Sequence, residues 1–440
     1  MVILYLFITF VFAWILVVYL FDRDWYSPAV LITSGYTLSI AIAFISDFFV
    51  PFNYSWVTYV ILVVGMVMYI LPAYIFKLST GGKIYEESKF FYPIEISKKI
   101  LWLHAFLSLS VVLLTVEIYS QFLSAVGEDT SLLSAIAGMR RFGIEHPEGL
   151  DFPLITVVNQ LRKIFLTTGY LILVIFVRNC VLKRRFNQDN LLLFNCLCCI
   201  SLIMTGGGRG NIVEYLLAGV VIYFVYRQIF FGTGKLNFTI KSITILLCTF
   251  IIGCVFFYLS LWITGRGNNE FNIMNMVHHT SFYLGGSIPL LDNFLETYNI
   301  NNEINFGKET FYAAIQQIRK LGLLDIPPYS INLEFRPGVY DGNVYTAFRS
   351  YISDFGYIGI LIAPIVFAFL SSWLYYKAIH SGQKQNISVC MAMYAIMVYP
   401  IFTDFIRGFF LMSFFSIDLI IQITILMLSK KLLMISSRTN

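Results

Sequence analysis

Charge is scarce in this chain: 12% of its 440 residues are Asp, Glu, Lys or Arg, against 58% apolar and 17% aromatic. That scarcity excludes an ordinary water-exposed surface, because soluble domains carry about a quarter charged residues. Cysteine is sparse too, with seven in all. Cys196, Cys198, Cys199, Cys248, Cys254 and Cys390 fall inside apolar runs and Cys180 sits by a basic cluster. They form no disulfide framework and read as small hydrophobes. P-loop, Ser-His-Asp, Cys-rich metal and Rossmann signatures are all missing, so no cofactor or metal is expected. Neither an internal repeat nor a low-complexity tract occurs, which removes support for a transporter built from inverted repeats.

What is present is hydrocarbon in lengths suited to a bilayer. Runs able to cross a core of ~30 Å lie at 2–21, 28–46, 56–76, 100–124, 152–177, 188–205, 211–229, 241–262, 356–376, 387–403 and 411–428. The expected fold is therefore all-α, one polytopic membrane domain over 1–440 with about eleven spans. The first run lacks a basic leader and a small-residue cleavage site, so it reads as a helix of the bundle.

Charge placement gives an orientation, since short cytoplasmic loops keep Lys and Arg. Most of the 30 Lys and Arg fall in one set of alternate loops, in clusters such as Lys77–Lys99, Arg178–Arg185 and Arg227–Lys241. The C-terminus is then cytoplasmic, 263–355 is a long outward loop containing short helices, and an odd number of spans puts the N-terminus outside. The net charge of +5 follows from the inside clusters. It points to membrane lipids as partners and away from nucleic acid.

Three connectors break the regular pattern. Segment 77–99 is a mixed-charge loop with Gly81-Gly82, to which no chemistry is assigned. Segment 125–151 carries Arg140 and Arg141 on the side where cations are rare. Loop 263–355 is longer than connectivity requires. Within it, Phe311, Ile315, Ile318 and Leu321 or Gly322 follow helical spacing opposite Gln316, Gln317, Arg319 and Lys320, which predicts a surface helix over 310–322 ended by Pro327-Pro328.

Chemistry is sought where arginine meets glycine. In Thr205-Gly206-Gly207-Gly208-Arg209-Gly210-Asn211, wedged between two apolar runs, the backbone can turn tightly and present N–H groups to an anion. A lone arginine at such depth costs roughly 2.5–3.5 kcal/mol, so an anionic ligand is weighed against a tight turn with a snorkelling side chain. Glu214, one turn on, is placed to orient Arg209.

Arg266 lies between glycines in Gly265-Arg266-Gly267, followed by His278 and His279. Adjacent histidines diverge on a helix and do not share a metal easily, so one reads as a hydrogen-bond or proton-transfer partner or as structural. Arg336, Arg349 and Arg407 follow. Arg349 is spaced to pair with Asp354, and Asp404 lies three residues before Arg407, so local pairs compete with a site in both places. Glu117, Glu214 and Asp418 are the few intramembrane acids and spell no continuous ion path. His104 reads as a packed or interfacial side chain. Arg140, Arg141, Arg209, Arg266, Arg336, Arg349 and Arg407 all fall on the expected outer side. Guanidinium groups gathered there suit a diphosphate, which they bind bidentately while staying charged.

Gly206-Gly207-Gly208-Arg209-Gly210, Tyr283-Leu284-Gly285-Gly286-Ser287-Ile288-Pro289, Tyr345-Thr346-Ala347-Phe348 and Asp354-Phe355-Gly356-Tyr357-Ile358-Gly359 together resemble the O-antigen polymerase family, the Wzy-type oligosaccharide repeat-unit polymerases. The resemblance covers mainly 200–360. It implies a nucleotide-sugar-independent glycosyltransferase of lipopolysaccharide biosynthesis in the bacterial inner membrane, acting at the periplasmic face. Undecaprenyl-diphosphate-linked glycans would be its substrates and a chain-length regulator protein a further partner. It implies diphosphate contacts from Arg209, Arg266, Arg336 and Arg349, with Arg140, Arg141, Arg407 and Glu214 as secondary candidates. His278, His279 or Asp354 would accept the proton of the attacking hydroxyl, with no metal. An O-antigen ligase would use the same arginines with another acceptor, and a lipid-linked oligosaccharide flippase would need charge lining a path through the bilayer.

Overall fold

A computed structural model of the chain describes residues 1–80, 91–126, 135–139, 142, 153–182, 189–206, 209–232, 281–298, 304–327 and 344–437. Among the described residues every regular element is helical. We number them α1 (Val2–Leu20), α2 (Pro28–Asp47), α3 (Trp56–Ser79), α4 (Lys98–Ala125), α5 (Pro153–Val181), α6 (Asp189–Met204) and α7 (Arg209–Phe231). After them come α8 (Ser287–Thr297), α9 (Tyr312–Lys320), α10 (Ala347–Phe355), α11 (Gly359–Gly382), α12 (Val389–Phe402), α13 (Phe409–Phe414) and α14 (Ile417–Ser437). Seven stretches of the described chain are long and apolar enough to cross a membrane: α1 to α5, Gly210–Phe231 of α7, and Ala347–Gly382, which joins α10 to α11. The chain is thus a multi-pass membrane protein by length and composition.

The apolar runs fall on helices wherever they are described; run 241–262 lies outside the described residues. Two runs differ in form. Run 411–428 is broken at Phe415-Ser416, where the Ser416 hydroxyl accepts the Leu419 amide and starts α14 as a cap. Run 356–376 opens with a 3₁₀ turn, Gly356–Ile358. Gly356 has φ of +62°, a left-handed conformation that only glycine adopts without strain, and it redirects α10 into α11.

Helix α12 is the hub. It packs on α2 and α11 on one side and on α5 and α7 on the other. Consistent with that place it is apolar all round, with Met391 to Val398, Pro400 and Ile401 buried. Around it stand a first group of α1, α2, α3 and α11 and a second of α4, α5, α6, α7 and α14. Small residues let the backbones approach, as membrane bundles require. A Cβ on Gly169 of α5 would lie 2.2 Å from Cys199 Sγ of α6.

Several polar groups inside the helices find the partners that water cannot supply there. His104 Nδ1 and Asn195 Oδ1 are 2.8 Å apart across α4 and α6, so His104 is packed, and buried Arg178 donates to the Lys384 carbonyl and to Gln385. The predicted surface helix is present as α9, with none of its residues buried. It ends at Gly322, with φ of +71°, ahead of the prolines.

Candidate functional site

Two cationic centres stand at the end of the bundle where α12, α13 and α14 join. The first is a cavity of about 350 Å³ walled by α5, α6, α7, α12 and α14, a volume within the range of small-ligand pockets. Helix α5 supplies Asn159, Arg162, Lys163 and Tyr170, α7 supplies Asn211 and Glu214, and α14 supplies Gln422. Arg162 donates from Nη1 to Asn159 Oδ1 at 3.0 Å. Its Nε is buried with no hydrogen-bond partner, and among the described residues it makes no ion pair. Lys163 pairs with Asp418, whose side chain is 45% exposed, so that pair is weakly held and open to exchange. Glu214 accepts from the Tyr170 hydroxyl at 3.1 Å.

The glycine-rich turn borders this cavity. A Cβ on Gly206 would lie 2.4 Å from Arg162 Nη2, and one on Gly210 would lie 3.0 Å from the Tyr399 hydroxyl. Only residues without a side chain let the guanidinium and the phenol come that close. Helix α7 starts at Arg209, and the side chain of Arg209 lies outside the described residues. Glu214 is thus placed in the cavity wall, bonded to Tyr170. Arg162 and Lys163 line the cavity, and the motif reading passed over them. The signal was available: two adjacent cations inside an apolar run, each expensive in a membrane without a partner.

The second centre is closed. Arg349 of α10 donates from Nη1 to Glu309 Oε2 at 2.5 Å, and its guanidinium lies 5.2 Å from the Phe294 ring and 5.0 Å from that of Tyr345. Ser350 and Ser353 donate to the same carboxylate at 3.0 and 2.9 Å. Arg407 lies over the Phe409 ring at 5.2 Å. Burial lowers the Arg407 pKa, and the nearby charge of Glu309 opposes that shift. The local pairs weighed from spacing are replaced. Arg349 takes Glu309, 40 residues away, and Asp354 accepts the backbone amides of Glu309 and Thr310 at 3.0 and 2.6 Å. That use of Asp354 pins the turn before α9 to the end of α10.

Asp404 is occupied as well. It is fully buried and accepts from the hydroxyls of Tyr69 at 2.7 Å and Tyr36 at 3.2 Å, while its carbonyl accepts the Ala347 amide at 3.0 Å and so caps α10. Burial raises its carboxyl to about 7, with the donors from Tyr69, Tyr36 and Tyr351 opposing the rise. Asp404 therefore anchors the N-terminal end of α10, the helix that carries Arg349.

Several motif residues do packing work. Phe348 is fully buried and its ring fills the space left by Gly65. Gly285 lets the helical stretch 281–285 approach α2, where a Cβ would lie 2.9 Å from the Ala43 amide nitrogen. Arg140, Arg141, Arg266, His278, His279 and Arg336 lie outside the described residues. Among the described residues no group of His, Cys, Asp and Glu gathers in a way that could hold a metal ion. Comparison with known proteins found no matching family model, no matching curated protein and no matching solved structure.

Proposed function

We propose that the chain is a lipid-linked oligosaccharide polymerase, joining undecaprenyl-diphosphate-linked repeat units at the periplasmic face of the inner membrane. The observation that carries this reading is the cavity beside the glycine-rich turn. There an arginine without a carboxylate partner among the described residues, a lysine and two asparagines meet inside a bundle of apolar helices. A diphosphate attached to a lipid needs that combination, with its tail in hydrocarbon and its charge against fixed cations. In the reaction a sugar hydroxyl attacks the anomeric carbon of the donor glycan and gives up its proton to a base, the role the resemblance gives to His278, His279 or Asp354, while the bond to the diphosphate breaks and negative charge builds on the leaving oxygen. Arg162 and Lys163, with Arg209 of the adjoining turn, would stabilise that charge. Glu214 faces the same cavity and would orient the cations.

Purified protein supplied with a defined lipid-linked repeat unit tests the reading, with and without chelator. The wild type should give a ladder of products insensitive to chelator. Arg162→Ala should lower polymer formation about 100-fold, the scale expected for one preorganised cation or donor at a developing charge, with membrane abundance unchanged. A wild type that makes no polymer, or an Arg162→Ala variant with a normal ladder, would end the proposal. In cells, loss of a polymerase leaves a single repeat on the lipopolysaccharide core, whereas loss of a ligase or flippase leaves bare core.

A further inference from the structure

Of the three intramembrane acids singled out in the sequence, the bundle accounts for two. Glu214 faces the cavity and accepts from Tyr170, and Asp418 pairs with Lys163. Glu117 is different, because its side chain is exposed on the outside of the bundle. Helix α4, which carries it, packs on α6 and α5 and turns Trp102, Phe106 and Leu113 outward. Helical spacing puts Glu117 on that same outward face. It lies about 12 Å along the axis from Ala125 at the helix end, in a helix long and apolar enough to cross a membrane. A carboxylate turned to hydrocarbon is costly, and ionisable groups in such places are kept for a partner.

Gln121, one turn on, is exposed too, and its amide donates to Glu117 Oε1 at 2.8 Å. Among the described residues this is the one hydrogen bond that either side chain makes. The amide keeps a second N–H and the carboxylate a second oxygen, so a donor and an acceptor stand side by side at one depth. A foreign helix bearing a cation would satisfy the carboxylate and leave the amide without an acceptor. A second copy of this chain satisfies both. Turned by a two-fold axis along the membrane normal, it brings its acceptor to the first copy's donor and its donor to the first copy's acceptor. Each carboxylate then meets the other copy's amide rather than its carboxylate. The four side chains close a ring of hydrogen bonds away from water, a kind of contact that holds helices together in lipid.

We propose that the outward face of α4 is a homodimer interface, with Glu117 and Gln121 of two copies joined reciprocally inside the membrane. The proposal goes beyond the polymerase reading and does not depend on it. Full-length protein carrying one fluorophore is reconstituted in phospholipid vesicles, and subunits are counted by single-molecule photobleaching as the protein-to-lipid ratio is raised. The wild type should pass from one subunit per spot to two. Glu117→Leu and Gln121→Leu should each weaken association about tenfold, the scale of polar contacts between helices in lipid. Glu117→Gln, which keeps an acceptor and adds a donor, should still pair.

A second measurement does not rely on those variants folding. Leu113 of α4 and Leu428 of α14 are both exposed on the bundle surface. Under oxidant in the vesicles, Leu113→Cys should give a disulfide-linked dimer above the level of the unsubstituted chain, and Leu428→Cys should not. A single subunit at every density, pairing unchanged in Glu117→Leu, or no cross-link from Leu113→Cys would each overturn the interface. Cross-linking of Leu113→Cys in native membranes to a different protein, with no self-linked product, would overturn it as well and give the face to another partner.

Discussion

The cavity of Arg162 and the closed centre of Arg349 hold the same kind of cation at the same end of one bundle, yet among the described residues only Arg349 has a carboxylate partner. Arg349 meets a carboxylate, two hydroxyls and two aromatic rings. Arg162 meets an asparagine, keeps an unpartnered Nε and borders open space. A buried ion pair contributes little net stability while intact and costs a great deal when one member is removed. A cation left without a carboxylate contributes nothing to the fold that a neutral side chain could not, so its retention in an apolar helix points to a ligand.

Four substitutions would break or sharpen that contrast. Arg349→Ala leaves Glu309 buried and uncompensated, and should destabilise the protein by about 3–5 kcal/mol, read as a lowered thermal midpoint in detergent, whereas Arg162→Ala should leave the midpoint unmoved. Equal losses from the two would erase the distinction between open and closed centres.

Asp404→Asn probes the floor under Arg349. The Asp404 carboxyl is raised to about 7 in the folded protein, against about 3.9 unfolded. Its contribution to stability is therefore present in full below about pH 4 and lost as pH rises towards 7. The midpoint of the wild type should fall relative to Asp404→Asn by several degrees across that window and run parallel above it. A constant difference at every pH would mean that Asp404 is ionised throughout.

Gly206→Ala has the smallest expected effect. Its Cβ would displace the flexible end of Arg162, so the fold should persist while polymer yield falls about tenfold, roughly 1.4 kcal/mol in barrier height. Full activity would show that the position of Arg162 beside the turn is unimportant.

Much of the scaffold could be read from the residues alone. Hydrocarbon length located the helices wherever the chain is described, seven of them long enough to span a membrane against the eleven expected, and the spacing of Phe311, Ile315 and Ile318 located α9. Glu309 was invisible to that reading, because its link to Arg349 spans 40 residues and no periodicity ties one to the other. The same holds for Lys163 and Asp418, 255 residues apart. Asp354 could be singled out as a carboxylate at the end of a helix, yet its use became plain only with the amides of Glu309 and Thr310 in place. Arg162 was missed for another reason. Charge counted by loop treats cations inside a run as remainders, although a run is where a cation is most informative.

The carboxylate of Asp404 reaches Tyr36 across 368 residues and Tyr69 across 335. During synthesis the phenols of α2 and α3 therefore enter the bilayer long before their acceptor has been made. Until the ribosome passes residue 404 they must borrow partners from water, lipid or a chaperone. A chain cut short of that point would keep its early helices but leave those hydroxyls facing hydrocarbon, marking the fragment for quality control.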